Sequence, residues 1–214
     1  LLAVLYLYRQ EYNLAIEQIN GIIQNDSSGI LNQFLAKEIL CRIYFYDKNY
    51  DEAEQLISEC LEDKKLEICE LNVAKWRYFS ACINYLNGKY DRSKEMLNNS
   101  ALLLQDRLGW GLGFRLLEIL ILVETENYYL AKFQLRALKQ LLRNNKGSAV
   151  HKCNCICSIL NALIKHECSY EEVLKIMSDD IALLTNTKNK NYRWDAMGYE
   201  IIRFDTLIKS KRRL

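Results

Sequence analysis

The sequence predicts an all-α fold, a right-handed superhelical array of antiparallel helix pairs. The first observation is that its 214 residues include no proline and only eight glycines, the residues that most often interrupt helices. The second is a tyrosine that recurs five times, at intervals of 38, 40, 38 and 42 residues, a period typical of paired-helix solenoids. The third is that apolar residues between these tyrosines recur mostly at three- and four-residue steps, the spacing of one helix face.

Each repeat places a mostly polar pair before the tyrosine and, in four of the five copies, a small side chain three residues after it. The tyrosines and their followers are Tyr12 with Ala15, Tyr50 with Ala53, Tyr90 with Ser93, Tyr128 with Ala131, and Tyr170 with Val173. A small side chain lets the second helix of a pair approach the first closely. We therefore place a polar turn before each tyrosine, with one helix on either side.

The helices predicted in this way form five pairs within one domain, 1–214. They cover 1–9 and 13–24, 30–46 and 51–63, 69–87 and 91–104, 110–125 and 129–144, and 149–166 and 170–185. The pairs with their loops are 1–29, 30–67, 68–107, 108–147 and 148–190. Residues 191–214 contain the apolar stretch Tyr192–Phe204 and are predicted to cap the last repeat, because a solenoid otherwise exposes the apolar face of its terminal unit.

These repeats resemble a known family. The segments Asp47–Ala53 and Asn87–Ser93 carry a tyrosine shortly before a small residue, and Cys41 and Tyr44 add a small residue and an aromatic residue on the first helix. In this pattern the chain resembles the tetratricopeptide repeat (TPR) family over nearly its whole length. Its period is longer than the usual repeat of about 34 residues, and the closing proline is absent. The resemblance implies a protein-binding scaffold without catalytic activity.

In the array that the resemblance implies, the first helices line a concave surface. On this register the concave face presents seven candidate binding residues: Tyr8, Glu38, Arg42, Tyr46, Tyr78, Tyr85 and Lys165. Tyrosine and arginine offer large contact areas and hydrogen-bonding tips, so we expect a peptide or protein segment to bind there. The sequence is equally compatible with a second interpretation, in which these tyrosines pack between neighbouring helices.

A second functional hypothesis is that the chain is the sensory or regulatory portion of a larger protein and responds to a peptide or small-molecule signal. The apolar start Leu1–Tyr8 lacks the basic residues and the cleavage site of a leader peptide. We predict that it is the end of a helix that begins before Leu1, which weakly favours this hypothesis.

The charge balance disfavours nucleic acid and membrane surfaces as partners. The formal net charge of +2 gives little attraction to phosphate groups. The basic run at 209–213 is predicted to be a solvated helix end, where positive charge favours the helix dipole. Apolar runs such as Ile119–Val123 are far shorter than the roughly 18 residues that a membrane span requires.

The candidate for metal chemistry is His151–Cys157, with His166 and Cys168 further along the chain. Zinc needs four nitrogen or sulfur ligands in a tetrahedron, whereas only Cys153 and Cys157 share a helix face. We predict that the cysteines are packing residues and that no metal or other cofactor binds. Eight scattered cysteines without a compact disulfide framework favour a cytoplasmic location.

Neither of two further patterns is predicted to bind a ligand or to catalyse a reaction. Gly109–Gly113 imitates a glycine-rich phosphate loop, but that motif works only between a strand and a helix, and residues 101–108 read as helix. We predict a tight turn between helices.

No catalytic triad is predicted. The sequence has only two histidines, His151 and His166, and no serine in a nucleophile-elbow setting. The chain is therefore predicted not to be an enzyme.

Overall fold

A computed structural model describes residues 2–25, 29–65, 69–186 and 188–211 of the chain. Of these residues 77% are helical and none forms a strand, so the predicted all-α class is confirmed. Parts of several predictions lie outside the described residues: Leu1 of the first helix, the centre of the loop at 25–29, the pair boundary at 67/68, residue 187 and the end of the basic run at 212–213. Within the described ranges, no helix has both the length and the apolar character that a bilayer span requires.

The described residues form twelve α-helices and a 3₁₀-helix at Ala101–Gln105. The α-helices are α1 (Leu2–Arg9), α2 (Tyr12–Ile23), α3 (Ile30–Asp47), α4 (Tyr50–Glu62), α5 (Glu70–Leu86), α6 (Tyr90–Asn98), α7 (Trp110–Glu124), α8 (Tyr128–Arg143), α9 (Ser148–Lys165), α10 (Tyr170–Ile176), α11 (Ser178–Thr185) and α12 (Phe204–Ser210). The ends of the predicted helices agree to within one residue except at two breaks. At those breaks, predicted helices 91–104 and 170–185 are each divided in two.

The first break has a local cause. Asn98 and Asn99 are weak helix formers, and the Ser100 hydroxyl donates a hydrogen bond to the Leu97 carbonyl at 2.7 Å. The following 3₁₀-helix turns the fully buried Leu103 toward the core. The second break falls at Met177, between α10 and α11.

The five turns within the pairs share one backbone geometry. Two residues before each repeat tyrosine, the chain adopts a left-handed conformation with φ between 58° and 70°, at Gln10, Lys48, Gly88, Glu126 and Cys168. In the second pair the Asn49 amide donates to the Tyr44 carbonyl at 2.9 Å, which closes the end of α3. The tyrosine is then the first residue of the second helix in every pair.

The residue three positions after each tyrosine is completely buried. Ala15, Ala53, Ser93, Ala131 and Val173 all have 0% exposure. The Ser93 hydroxyl donates to the Ala81 carbonyl at 2.7 Å, which places α6 directly against α5. The short side chain thus fixes the close approach of the two helices in a pair.

The first helices lie side by side. Consecutive helices from α1 to α9 contact one another, and α7 also contacts both α5 and α9. Helix α7 is buried nearly all round, including five consecutive residues at Ile119–Val123. Such burial requires cover on more than one side of a helix. The second helices cover one side of this layer, and the chain's own C-terminal residues cover another.

We call residues 194–211 the C-terminal segment and the side of the first helices that it contacts the inner face. The sequence predicts a cap over the last pair at 191–214, and α12 indeed contacts α10 and α11. However, residues 194–200 lie along the inner face and reach α3 and α9. The segment therefore covers much more of the array than the last pair, because it is apolar enough to pack on several helices.

Replacing Lys48 with glycine is expected to stabilise the fold by roughly 0.5 kcal/mol, because relief of the left-handed conformation, about 1–2 kcal/mol, exceeds the entropy cost of glycine in the unfolded chain, about 0.5–1 kcal/mol. The free energy of unfolding in urea measures the effect. The control is Lys89→Gly, at an exposed residue with φ −85°, where glycine should destabilise through the entropy of the unfolded chain. Equal effects of the two substitutions would contradict the assigned turn geometry.

Candidate functional site

The inner face holds the irregular part of the C-terminal segment mainly through its main-chain carbonyls. Arg42, on α3, donates from Nη1 to the Ala196 carbonyl at 3.2 Å and to the Gly198 carbonyl at 2.9 Å. The Tyr46 hydroxyl, one turn further along α3, donates its single hydrogen to the Ala196 carbonyl at 3.0 Å, and the Glu200 carbonyl lies 3.3 Å from the same oxygen atom. Two side chains thus supply donors to a stretch of backbone that lies outside any helix.

Arg42 is only 1% exposed, so its charge requires a close partner. Glu38 provides it, since its Oε1 atom lies 3.2 Å from Nη2 of Arg42. Lys75 on α5 contacts the other carboxylate oxygen at 3.1 Å. The Arg42 guanidinium also lies 5.0 Å from the ring centre of Trp110, a favourable cation–π distance.

Aromatic contacts fix the start of the segment. The Trp194 ring packs edge-on against Tyr46, with ring centres 4.5 Å apart and an interplanar angle of 87°. The Tyr8 hydroxyl, on α1, donates to the Asp195 carboxylate. Burial and this carboxylate together raise the pKa of Tyr8 to about 12, so the hydroxyl stays protonated as a donor.

The segment approaches the repeat array closely at Gly113 of α7. A Cβ atom at this position would lie 2.5 Å from the Tyr199 carbonyl oxygen and 2.6 Å from the Tyr78 hydroxyl oxygen. Only glycine allows this approach without displacement of one neighbour. The Tyr199 hydroxyl donates to the Ala149 carbonyl on α9 at 3.4 Å, which extends the contact across the next pair.

A buried ion pair joins the segment to α9. The carboxylate of Glu200 contacts the Lys152 ammonium, and both side chains are 6% exposed. The Phe204 amide also donates to Glu200 at 2.7 Å, at the start of α12. Burial raises the pKa of Glu200, and the Lys152 ammonium opposes this shift only in part.

A second ion pair joins the end of the segment to α7. The Lys211 ammonium lies 2.9 Å from the Glu124 carboxylate, at the last residue of α7. Three tyrosine hydroxyls also donate to this carboxylate: Tyr85 at 3.0 Å, Tyr90 at 3.1 Å and Tyr170 at 2.6 Å. Burial raises the pKa of Glu124, but these hydrogen bonds and Lys211 outweigh it, so the net shift is downward.

The seven candidate binding residues do not form an open surface. Six of them take part in the contact with the C-terminal segment or lie directly beside it: Tyr8, Glu38, Arg42, Tyr46, Tyr78 and Tyr85. Five of the six are buried, and Tyr8 is 42% exposed. Lys165, by contrast, is exposed at the last residue of α9 and makes none of the described contacts with the segment.

The sequence analysis did not identify the other residues at the contact between the inner face and the C-terminal segment. These are Gly113, Glu124 and Lys152 on the inner face, and Glu200 and Lys211 in the segment. One signal for them is present in the sequence. Ile119–Val123 places five apolar residues in succession on a predicted helix, which requires burial on every side. A first helix with this property cannot line an open groove.

The cysteine cluster is divided between different environments. Cys153 and Cys157 are fully buried in α9, and the Cys155 thiol points to α11, where it lies 3.3 Å from the Asp180 carbonyl. Burial and Asp180 raise the pKa of Cys155 to about 12. His166 instead contacts Glu172 at 3.0 Å. Within the described ranges, no group of three or more histidine, cysteine or acidic residues is placed to hold a metal ion.

The glycine-rich stretch begins a helix whose first amides already have acceptors. The Asp106 carboxylate accepts from the Gly109 amide at 3.1 Å and from the Trp110 amide at 2.9 Å. A Cβ atom on Gly111 would lie 2.6 Å from the Asp106 carbonyl oxygen. Gly109 and Gly111 therefore serve close packing around Asp106, and the Gly109 and Trp110 amides are not free for a phosphate.

Comparison with models of protein families, with curated proteins and with solved structures finds no match for this chain.

Gly113→Ala is expected to displace Tyr199 from α7 and to destabilise the fold by about 2 kcal/mol, the usual cost of overpacking. Urea unfolding measures the loss, and hydrogen exchange should rise selectively at residues 194–203. Gly21→Ala is the matched control, because no atom lies within 4 Å of a Cβ there and alanine favours the helix by roughly 0.5–1 kcal/mol. An unchanged exchange rate in Gly113→Ala would contradict close docking of the segment.

Glu124→Gln is expected to destabilise the fold by on the order of 2 kcal/mol at neutral pH, because hydrogen bonds to a charged group are lost. The lowered pKa of Glu124 means that its contribution is complete above its unfolded pKa of about 4.3 and is lost as the pH falls through the lower folded value. The stability difference from wild type should therefore shrink in acid. Glu95→Gln, in an exposed pair, should show little difference at any pH.

Proposed function

We propose that this chain is a non-enzymatic, TPR-like interaction module whose inner face binds a peptide or protein segment. The single observation that supports it most is that the inner face already holds a non-helical stretch of polypeptide, the chain's own residues 194–200. Arg42 and Tyr46 recognise that polypeptide by its main-chain carbonyls. Because every polypeptide offers such carbonyls, the recognition does not depend on this particular sequence.

The repeat architecture supports the TPR-like part of the proposal. All five pairs share the left-handed turn, the tyrosine at the start of the second helix and the buried residue three positions later. The first helices α5, α7 and α9 contact one another in succession. We infer that the pairs continue as a right-handed superhelical array, in which the inner face is the concave surface.

The polar groups of the inner face favour binding over catalysis. Arg42 is paired with Glu38, and Lys152 and Glu124 are paired with Glu200 and Lys211 of the C-terminal segment. A peptide or protein partner fits these groups better than a nucleic acid or a membrane, given the net charge of +2. The eight cysteines are free thiols, which favours the cytoplasm as the place of action.

A second candidate function is regulatory. An inner face that is already occupied can bind a partner only when the C-terminal segment is displaced. A cavity of about 530 Å³ lies between the segment and the turns of the first two pairs, lined by Tyr12, Tyr46, Tyr50, Arg203 and Ser210 among others. A peptide or small-molecule signal that enters there would shift the segment, as in a sensory portion of a larger protein.

The test uses a fluorescent peptide with the sequence of residues 191–211 and full-length chains. The wild type should bind it weakly, because the attached segment competes at an effective concentration in the millimolar range. Glu200→Lys places two ammonium groups together at Lys152 and should release the attached segment. We expect this variant to bind the peptide at least about tenfold more tightly, a difference of about 1.4 kcal/mol.

Two further variants control the experiment. The charge exchange Lys152→Glu with Glu200→Lys restores the pair within the chain and should bind the peptide weakly again. Tyr46→Phe in the Glu200→Lys background removes only the hydroxyl, at a cost of about 1 kcal/mol in peptide affinity. The proposal fails if folded Glu200→Lys, checked by circular dichroism, does not bind the peptide, or if Tyr46→Phe leaves its affinity unchanged.

A further inference from the structure

The Lys211 ammonium lies in a cage of tyrosine rings at the end of the C-terminal segment. Its Nζ atom is 5.5 Å from the ring centre of Tyr85, 5.7 Å from that of Tyr90 and 6.0 Å from that of Tyr170. It also donates a hydrogen bond to the Tyr90 hydroxyl at 3.1 Å and contacts Glu124 at 2.9 Å. Three aromatic faces and one carboxylate thus surround a single ammonium group.

The cage is built entirely by the repeat array. Tyr85 belongs to α5, Tyr90 begins α6, Glu124 ends α7 and Tyr170 begins α10. None of these four groups belongs to the C-terminal segment, which places the Lys211 ammonium among them. The cage therefore does not depend on Lys211 for its walls.

The tyrosine hydroxyls hold the cage in shape. Each of the three donates to Glu124, so the carboxylate links the rings to one point. Tyr85 is 1% exposed and Tyr170 is 8% exposed, so neither ring has freedom to turn away. Such preorganisation lowers the cost of binding a cation, because the groups are ordered before it arrives.

The electrostatics of the cage favour a cation. The net shift in the pKa of Glu124 is downward, so the carboxylate is charged at neutral pH. Burial lowers the pKa of Lys211, but the contacts with Glu124 and Tyr90 outweigh it, and the net shift is upward. The cage holds the ammonium in its charged form. Lys211 is itself among the groups that lower the pKa of Glu124, so a cation in this position and the ionised carboxylate stabilise each other, beside three electron-rich rings.

We propose that the cage of Tyr85, Tyr90, Tyr170 and Glu124 is a binding site for an alkylammonium group, and that Lys211 occupies it in place of a lysine side chain presented by a partner segment. The partner's lysine would take the position of Lys211, with its methylene groups against the rings and its ammonium on Glu124. The identity of the partner group rests on the proposed function, whereas the affinity of the cage for an alkylammonium ion is measured independently of it.

The geometry selects a primary ammonium over a guanidinium. The two polar acceptors, Glu124 and the Tyr90 hydroxyl, meet at one Nζ atom that donates to both. A compact ammonium with three donors fits such a convergent point, whereas a guanidinium presents its donors in a planar fork.

The test is chemical rescue of the full chain with Lys211→Ala, which removes the ammonium and leaves every wall of the cage in place. The probe is n-butylammonium chloride, which matches the lysine side chain beyond Cα. We expect n-butylammonium to raise the melting temperature of Lys211→Ala more than that of wild type. Sodium chloride and n-butanol at the same concentration should not reproduce the difference, because they lack either the alkyl chain or the charge. Lys209→Ala, at an exposed lysine of α12, is the matched control and should behave as wild type.

The proposal is overturned if n-butylammonium shifts Lys211→Ala no more than n-butanol does, or if the rescue persists when Glu124→Gln is added.

A second measurement uses the wild-type chain, so that the result does not depend on folding of the variant. Acetic anhydride labels the lysines, and peptide mass spectrometry gives the acetylation of Lys211 relative to Lys209, with n-butylammonium or sodium chloride present. n-Butylammonium consumes reagent equally for both lysines and can enter the cage, so the relative labelling of Lys211 should rise. An unchanged ratio contradicts exchange at the cage, and it leaves the peptide test of the proposed function unaffected.

Discussion

The burial of an irregular main-chain stretch against the first helices is the constraint on which the rest of the structure depends. The carbonyls of Ala196 and Gly198 lie outside any helix, so they need donors once water is excluded. Arg42 supplies these donors, and at 1% exposure it requires the carboxylate of Glu38, which Lys75 helps to balance. Removal of one member leaves a buried charge or carbonyl without a partner. The polar residues of α3 are thus determined by a segment more than 150 residues away in the chain.

The helix pairs were predictable because their determinants are local. The tyrosine, the polar pair before it and the small residue after it lie within six residues of one another, and a regular period makes the pattern visible. Two helix breaks, at Asn98 and Met177, were not predicted. At the first, the Ser100 hydroxyl competes for the carbonyls of the helix end, and no periodicity of apolar residues records such a competition.

The register of the inner face was also predictable, but its occupancy was not. The spacing that assigns Arg42 and Tyr46 to one face says nothing of what covers that face, because a pair such as Arg42 with Gly198 has no sequence period. Two features of the sequence did carry information. Gly113 in a helix costs stability unless something approaches closely, and the apolar run Ile119–Val123 is incompatible with an open groove on that helix.

Two kinds of contact bind the C-terminal segment to the inner face: hydrogen bonds to its main-chain carbonyls and ion pairs with its charged side chains. Arg42 and Tyr46 bind carbonyls, which every polypeptide has, so this contact supplies affinity with little selectivity. Lys152 and Glu124 carry opposite charges and bind Glu200 and Lys211, which lie eleven residues apart. A buried charge without its counterpart is costly, so the two ion pairs fix the register of the C-terminal segment on the inner face. Under the function proposed above, a partner segment would satisfy both charges only if it carried an acidic residue before a lysine at a comparable spacing.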